Sequence, residues 1–279
     1  MSEFDPSYLL NHAPLEARAE LTPPKVILYA LGVGADELPF VYEDGLRVLP
    51  TMVQVLAYPG FIWTNPAFKI DWKKILHGET GFTLHAPLPV SGELIGRTTF
   101  GPIFDKGPDK GSVVYQTRTL HTADGALIAT VRNASFLRGD GGRGGSQGQQ
   151  PAPHAVPERE PDLVHALPTA PNQAMIYRLS GDFNPLHVDP ATARAAGFER
   201  PILHGLCTFG VAGRALLAAL CDNDTARIRS MDVRFSSPVY PGETVVTEIW
   251  RTGEGRAAFR AKVAERNVTV LNNGLLEYA

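Results

Sequence analysis

Apolar positions along the chain change their period in the same order twice. Residues 26–34 and 51–58 carry apolar side chains at helical spacing. Four runs rich in Thr, Val and Ile follow at 81–86, 93–104, 112–121 and 126–136, the last two separated by a turn of Ala123, Asp124 and Gly125. Helical spacing then returns at 189–196 and 208–220, and strand-like runs follow again at 227–235, 244–251, 256–265 and 268–276. Helix first and antiparallel strands after it, twice over, predict two α+β units, each with a sheet wrapped around a helix.

The helices of the second unit are the better marked. Asp189 suits an N-cap, Pro190 the first helical turn and Gly197 a stop. Phe209, Ala212, Leu216 and Leu220 form one apolar face, and Gly210 and Gly213 allow close packing on a sheet. Between the units lies 139–161, GDGGRGGSQGQQPAPHAVPEREP, which has no core-facing period and lacks the Gly-Lys-Ser/Thr ending of a phosphate loop. It reads as a linker. The chain therefore divides into a unit at 1–138, a linker at 139–161 and a unit at 162–279.

Composition narrows the function classes. The 279 residues, 44% of them hydrophobic, suffice for a full core. A formal charge of −3 without a basic stripe argues against a nucleic-acid partner. Cys207 and Cys221 make neither a disulfide framework nor a zinc spacing, which fits a reduced compartment. The start, MSEFDPSYLLNHAP, lacks the basic and apolar regions of a secretory leader, and no run approaches the ~18 apolar residues of a membrane helix. The ending Glu277-Tyr278-Ala279 is not a Ser-Lys-Leu type of peroxisomal address. A cytoplasmic protein that engages no membrane is expected.

Candidate chemistry concentrates in 177–187, YRLSGDFNPLH. Asp182 and His187 lie five apart with Pro185 between them, so a turn rather than a helix brings them towards one point, and Gly181 permits close backbone approach. A carboxylate and an imidazole converging there can hold a water and move its proton near neutral pH. Seventeen residues on, His204 and Gly205 stand at the start of the long helix, where a backbone N–H can face a bound oxygen. Together these groups suffice to add water to a double bond beside a carbonyl. Asp-x-Asn-Pro is also ordinary turn vocabulary, and a histidine beside it is often only a structural hydrogen bonder, so spacing alone leaves both readings open.

The stretch Tyr177-Arg-Leu-Ser-Gly-Asp-Phe-Asn-Pro-Leu-His187 closely resembles the signature of the (R)-specific enoyl-CoA hydratase 2 (MaoC-like) family. The resemblance extends to Tyr29-Ala-Leu-Gly-Val-Gly-Ala35, His77-Gly-Glu79, Pro87-Leu-Pro89, Asp105-Lys-Gly107, the Gly-Gly-Arg-Gly-Gly run, Pro201-Ile-Leu-His-Gly205, Val233-Arg-Phe235 and Pro241-Gly-Glu-Thr244. The chain looks like the hydratase unit of peroxisomal multifunctional enzymes of type 2.

That resemblance implies a double hot-dog fold and assigns catalysis to Asp182 and His187, with Asn184 in the same loop and the Gly205 amide as oxyanion donor. It places the acyl-CoA against His77, Gly78, Lys106 and Phe235, and against the loop residues Asp182, Phe183, Asn184, Pro185, Leu186 and His187. The first unit is expected to be non-catalytic and to accommodate the acyl chain, lined by Phe61-Ile-Trp63 and Phe235. Where the catalytic turn would recur, it reads Thr64-Asn-Pro-Ala-Phe-Lys-Ile-Asp71 without a suitably spaced histidine. The implied reaction is reversible hydration of trans-2-enoyl-CoA to (3R)-3-hydroxyacyl-CoA in fatty acid metabolism. It needs no metal or redox cofactor, because the thioester already activates the β-carbon, and the partners implied are the acyl-CoA thioester and a second copy of the chain. A dehydratase for short, branched or dicarboxylic thioesters, a non-catalytic acyl-thioester binding protein and a thioesterase on the same fold are the alternatives. Lys106 could merely solvate its turn, His77 supply backbone shape, Phe235 fill core and His204 orient the catalytic turn.

Overall fold

In each half a strand precedes the main helices. The computed structural model describes residues 4–279. The first half contains α1 (Pro6–Leu10), β1 (Leu15–Leu21), α2 (Pro23–Gly32), α3 (Leu38–Val41), β2 (Ile75–Leu84), β3 (Gly92–Asp105), β4 (Ser112–Thr122) and β5 (Leu127–Leu137). The second contains β6 (Leu163–Pro168), α4 (Gln173–Tyr177), α5 (Pro190–Ala195), α6 (Gly205–Cys221), β7 (Ile228–Phe235), β8 (Thr244–Gly253), β9 (Arg256–Val263) and β10 (Val268–Tyr278). The opening strands β1 and β6 were not expected from the run of β-branched residues. In β1 the signal is instead a strict alternation, Leu-Glu-Ala-Arg-Ala-Glu-Leu, as an edge strand with one wet face requires.

All strands join one antiparallel sheet in the order β1-β3-β4-β5-β2-β7-β10-β9-β8-β6. Each half has the same internal order, and the halves meet where β2 pairs with β7, from Glu79 opposite Arg234 to Thr83 opposite Ser230. Arg132 of β5 grips the Asp232 carboxylate across this seam at 2.9–3.1 Å. Gly81 makes room for that carboxylate, since a Cβ there would lie 1.9 Å from its oxygen. This architecture is the double hot-dog.

The central helix of the second half is α6, whose Phe209 meets Phe82 of β2 edge-on. Gly210 and Gly213 admit Val33 and Thr51 so closely that a methyl at either position would collide with them. The first half departs from this plan. The helix expected at 51–58 is only a 3₁₀ turn over Pro50–Gln54, which packs against α6. Thr51, Val53 and Val55 are β-branched, and Pro59-Gly60 ends the run within three residues of Leu56. Arg118 of β4 donates from Nη2 to the carbonyls of Val53 and Gln54, both at 2.8 Å, so these backbone groups are satisfied without a further turn.

Residues 139–161 have no helix or strand, yet they are fastened along their length. The Asp105 carboxylate accepts from the N–H groups of Gly107, Gly142 and Gly144, and Gln150 donates to the Tyr115 hydroxyl. Asn273 then donates to the His154 carbonyl, and the Trp250 indole donates to that of Arg159. The segment thus crosses from β3 and β4 to β10 and β8 as a strap.

Candidate active site

The turn between α4 and α5 is built by its own side chains. Gly181 adopts φ +116°, which a β-carbon would strain. The Asp182 carboxylate accepts from the Asn184 N–H at 3.2 Å, and the Asn184 side-chain oxygen accepts from the Leu186 N–H at 3.0 Å. Asn184 thereby caps a single 3₁₀ turn over Pro185–His187. Asp189 then caps α5 by accepting from the Ala191 and Thr192 N–H groups. Two acceptor side chains in tandem leave His187 pointing inward, 8% exposed, while Asp182 stays exposed.

His187 Nδ1 lies 2.8 Å from the Ile202 carbonyl. A carbonyl can only accept, so Nδ1 carries the proton and Nε2 of the neutral ring offers a lone pair. Burial lowers the His187 pKa, against the opposing pull of the Ile202 carbonyl and the Asp182 charge, which favours the neutral, basic ring at pH 7. His204, 1% exposed, stacks on His187 with ring centres 3.7 Å apart. Its Nε2–H donates to the Asp182 carbonyl at 3.2 Å. Burial, then the His187 ring, pushes its pKa down to about 4.

That depression makes stability depend on pH. The folded-state pKa of His204 lies below the ordinary histidine value of 6.5, so the unfolded chain binds the extra proton. The contribution is complete above about pH 6.5 and is lost as the pH falls towards 4. Chemical denaturation between pH 7 and 4 should show this decline, and a folded His204→Asn variant should show a shallower one. Equal slopes in the two proteins would remove His204 from the account.

His204 also occupies the N-cap of α6, so the next amide, that of Gly205, belongs to the first turn and has no intrahelical acceptor. Gly205 faces the Phe235 ring, and a Cβ at this position would lie 3.1 Å from it. Phe235 in turn packs on the His77 ring at 4.8 Å. Gly78 marks a register shift between β2 and β5, and that bulge directs His77 to Asn133, 3.0 Å from its Nε2. The Asp182 charge acts on His77 and Tyr58 as well as on His187.

A chain of contacts thus links Asp182 and His187, through His204 and Gly205, to Phe235, His77 and the bulge at Gly78. Leu186 is half-buried beneath the turn, whereas Pro185 and Phe183 are exposed on it, with the Arg178 guanidinium over the Phe183 ring. Lys106 stands apart. It is exposed at the end of β3, with β4 and β5 between it and β2, roughly 14 Å away at ordinary strand spacing. It borders a surface groove lined by Phe104 and residues 144–150. Tyr58 and Asn133 were not expected at the site, and only the register of β5 on β2 could have pointed to Asn133. Trp63 is buried against Phe68 and Phe100 in a separate apolar cluster, and Phe61 is exposed.

The first half's counterpart of the turn is not 64–71. That segment follows the 3₁₀ turn at Pro50–Gln54, whereas the catalytic turn precedes α6. The matching position lies between α2 and Pro50, where Asp36, Pro39 and Val41 repeat the spacing of Asp182, Pro185 and His187. Tyr29 and Tyr177, ahead of the two turns, face each other with ring centres 6.0 Å apart. At the spacing of His187 the first half carries Val41. The adjacent Glu37 instead receives the buried Arg214 of α6 at 3.0 Å.

Asp182, His187 and His204 offer ligand atoms within 4.8 Å of one another. The two rings are stacked, and one nitrogen of each, His187 Nδ1 and His204 Nε2, already faces a backbone carbonyl. An exposed carboxylate, a free Nε2 and an unused helix-start N–H can activate a water and stabilise an oxyanion. Among the described residues, no helix is long and apolar enough to cross a membrane.

Known proteins resemble the chain in both halves. Residues 20–139 match the model of the MFE-2 hydratase 2 N-terminal domain, and residues 153–273 match that of the MaoC like domain. The chain is 46% identical over 272 residues to 3-hydroxyacyl-thioester dehydratase Y of Mycobacterium tuberculosis, covering 93% of both chains. It is 38% identical over 296 residues to the peroxisomal enoyl-CoA hydratase 2 of Arabidopsis thaliana, covering 97% of this chain and 94% of that one. The crystal structure of a MaoC-like dehydratase from Phytophthora capsici superposes with a TM-score of 0.89 at 37% identity, covering 98% of each chain. With both halves matched in order and over nearly their whole length, the chain belongs to the MaoC-like dehydratase family, in its two-domain hydratase 2 form.

Proposed function

We propose that the protein is a hydro-lyase that reversibly hydrates trans-2-enoyl-CoA to (3R)-3-hydroxyacyl-CoA in fatty acid metabolism. The observation that carries this reading is the approach of the Asp182 carboxylate to a neutral His187 whose Nδ1 is held by the Ile202 carbonyl, beside His204 at the start of α6. A water held by Asp182 and His187 gives its oxygen to the β-carbon and one proton to the pair. The alkene electrons move onto the thioester as an enolate, whose oxygen the Gly205 N–H receives. The pair then returns a proton to the α-carbon, so water is added across the double bond and the pair ends with the protons it began with. The thioester supplies the activation that a metal or redox cofactor would otherwise provide. Loss of enoyl absorbance with crotonyl-CoA, together with chiral analysis of the product, tests the assignment. Release of free CoA instead would indicate a thioesterase.

His77, Phe235 and the loop 182–187 would hold the thioester end, and the first half, with its shortened central helix and without an imidazole at Val41, would receive the acyl tail. Lys106 and the groove beside it suit the phosphates of coenzyme A. A phosphate contact acts alike on the ground and transition states, so Lys106→Ala is expected to raise KM with little change in kcat. A pantetheine thioester lacking the nucleotide should be indifferent to the substitution. Equal losses on both substrates would remove Lys106 from CoA binding.

We further propose that the enzyme acts in the cytoplasm as a homodimer. Met175, Leu179 and Phe183, in and just before the turn at 181–187, each expose a large apolar side chain, and sedimentation at micromolar concentration tests the association.

A further inference from the structure

The apolar interior of the first half is cut in two by a polar band. Along β4, Val114 belongs to one apolar cluster and Leu120 to another, with Gln116 and Arg118 between them on the same inward face. Along β3, Phe100 and Ile103 belong to the first cluster and Leu94 to the second, with Thr98 between, directly opposite Arg118. Gln54, from the shortened central helix, joins the band by accepting from Arg118 at its carbonyl, and its side-chain amide donates to the Gly81 carbonyl of β2.

All four polar residues are buried, and Arg118 is only 2% exposed. Each has an atom without a partner: Gln54 Oε1, Thr98 Oγ1, Gln116 Nε2 and Arg118 Nε. Three of these four groups can donate a hydrogen bond. Among the described residues no carboxylate pairs with Arg118, whose acceptors are the neutral carbonyls of Val53 and Gln54. Burial pulls its pKa down to about 10, which still leaves it charged at neutral pH. Satisfying two carbonyls accounts for a donor here, but a neutral amide would serve for that. A buried cation with no counter-ion needs another reason.

The band leads to the candidate active site. Gln116 lies opposite Asn133 of β5, and the Asn133 side-chain oxygen is shared by the Thr80 hydroxyl and His77. Tyr58 covers the Arg118 guanidinium at 5.3 Å and lies within electrostatic reach of Asp182. The band therefore starts behind His77 and ends at a cation, in the half that has lost its central helix.

We propose that this band is a subsite for the far end of the acyl chain and that it selects enoyl thioesters whose tail ends in a carboxylate. Arg118 supplies the ion pair, while Thr98 and Gln116 donate to the remaining lone pairs. This rests on the reading of the site as an enoyl-thioester hydratase, and it names the substrate class.

The test uses the full chain and trans-2-enoyl-CoA esters of six to ten carbons, in sets of equal length ending in methyl, hydroxymethyl or carboxylate. At the length that reaches Arg118, the carboxylate ester should exceed the methyl ester in kcat/KM by about ten- to a hundredfold, the worth of a hydrogen bond to a charged group. Arg118→Met should collapse that ratio, and Arg118→Lys should keep part of it. Should Arg118→Met fail to fold, Gln116→Met and Thr98→Val should each lower the ratio. Preference for the methyl tail at every length, or equal turnover of hydroxymethyl and carboxylate tails, would overturn the proposal. Crotonyl-CoA separates the two levels of inference. Its turnover without any tail preference refutes the subsite alone, whereas no hydration of any ester refutes the reading on which the subsite rests.

Discussion

Asp182→Asn and His187→Gln are each expected to lower kcat by about 10²–10⁴ while leaving the fold in place. The amide introduced by Asp182→Asn would keep an oxygen to accept from the Asn184 N–H, so the turn can persist without the charge. His187→Gln is the better second variant than His187→Ala, because an alanine would leave a void against the stacked His204 ring. The two groups handle one proton as a unit, so the double variant should be hardly worse than either single one. Circular dichroism establishes folding. A folded single variant that keeps more than about a tenth of kcat, above what the loss of an acid–base group allows, would end the assignment of this pair.

The elements with strong local signals were legible from residues alone. Asp189, Pro190 and the face of Phe209, Ala212, Leu216 and Leu220 mark α5 and α6, and in the structure Asp189 caps and the four side chains are buried. The repeated order of elements showed two similar units, although the short β1 and β6 escaped because edge strands need few β-branched residues. What sequence could not show depends on register. His77 was named by resemblance, but the bulge at Gly78 and the Asn133 contact follow from how β2 pairs with β5. The misplaced counterpart of the catalytic turn has the same origin. An Asn-Pro pair at 65–66 matches the motif in letters, whereas Asp36, Pro39 and Val41 match it in topology.

The two halves share one topology and have used it differently. In the second, a complete helix presents its N-terminus beside the catalytic turn. In the first, the helix is reduced to a 3₁₀ turn, and Ala57 reaches the sheet so closely that Gly96 can bear no side chain: a Cβ there would lie 2.2 Å from the Ala57 carbonyl oxygen. Glu37, one residue after the counterpart of Asp182 in spacing, receives Arg214 from α6. The turn that matches 182–187 in chain order is thus an attachment for α6.

The second large effect is expected at Gly205, where a backbone group can be deleted by substitution. Gly205 is the first residue of α6, a position at which proline is well accepted. The preceding His204 has ψ 136°, the extended conformation that a following proline requires. Gly205→Pro should therefore leave the helix intact while removing its first N–H. Loss of one oxyanion donor costs about 10²–10³ in kcat. The new Cβ would also press on Phe235 at 3.1 Å. Gly205→Ala carries the same Cβ and keeps the N–H, so the ratio of the two variants isolates the lost donor, together with the proline Cδ that takes its place. If the alanine variant loses as much as the proline one, crowding of Phe235 is responsible, and the enolate oxygen is held by some group other than the Gly205 amide.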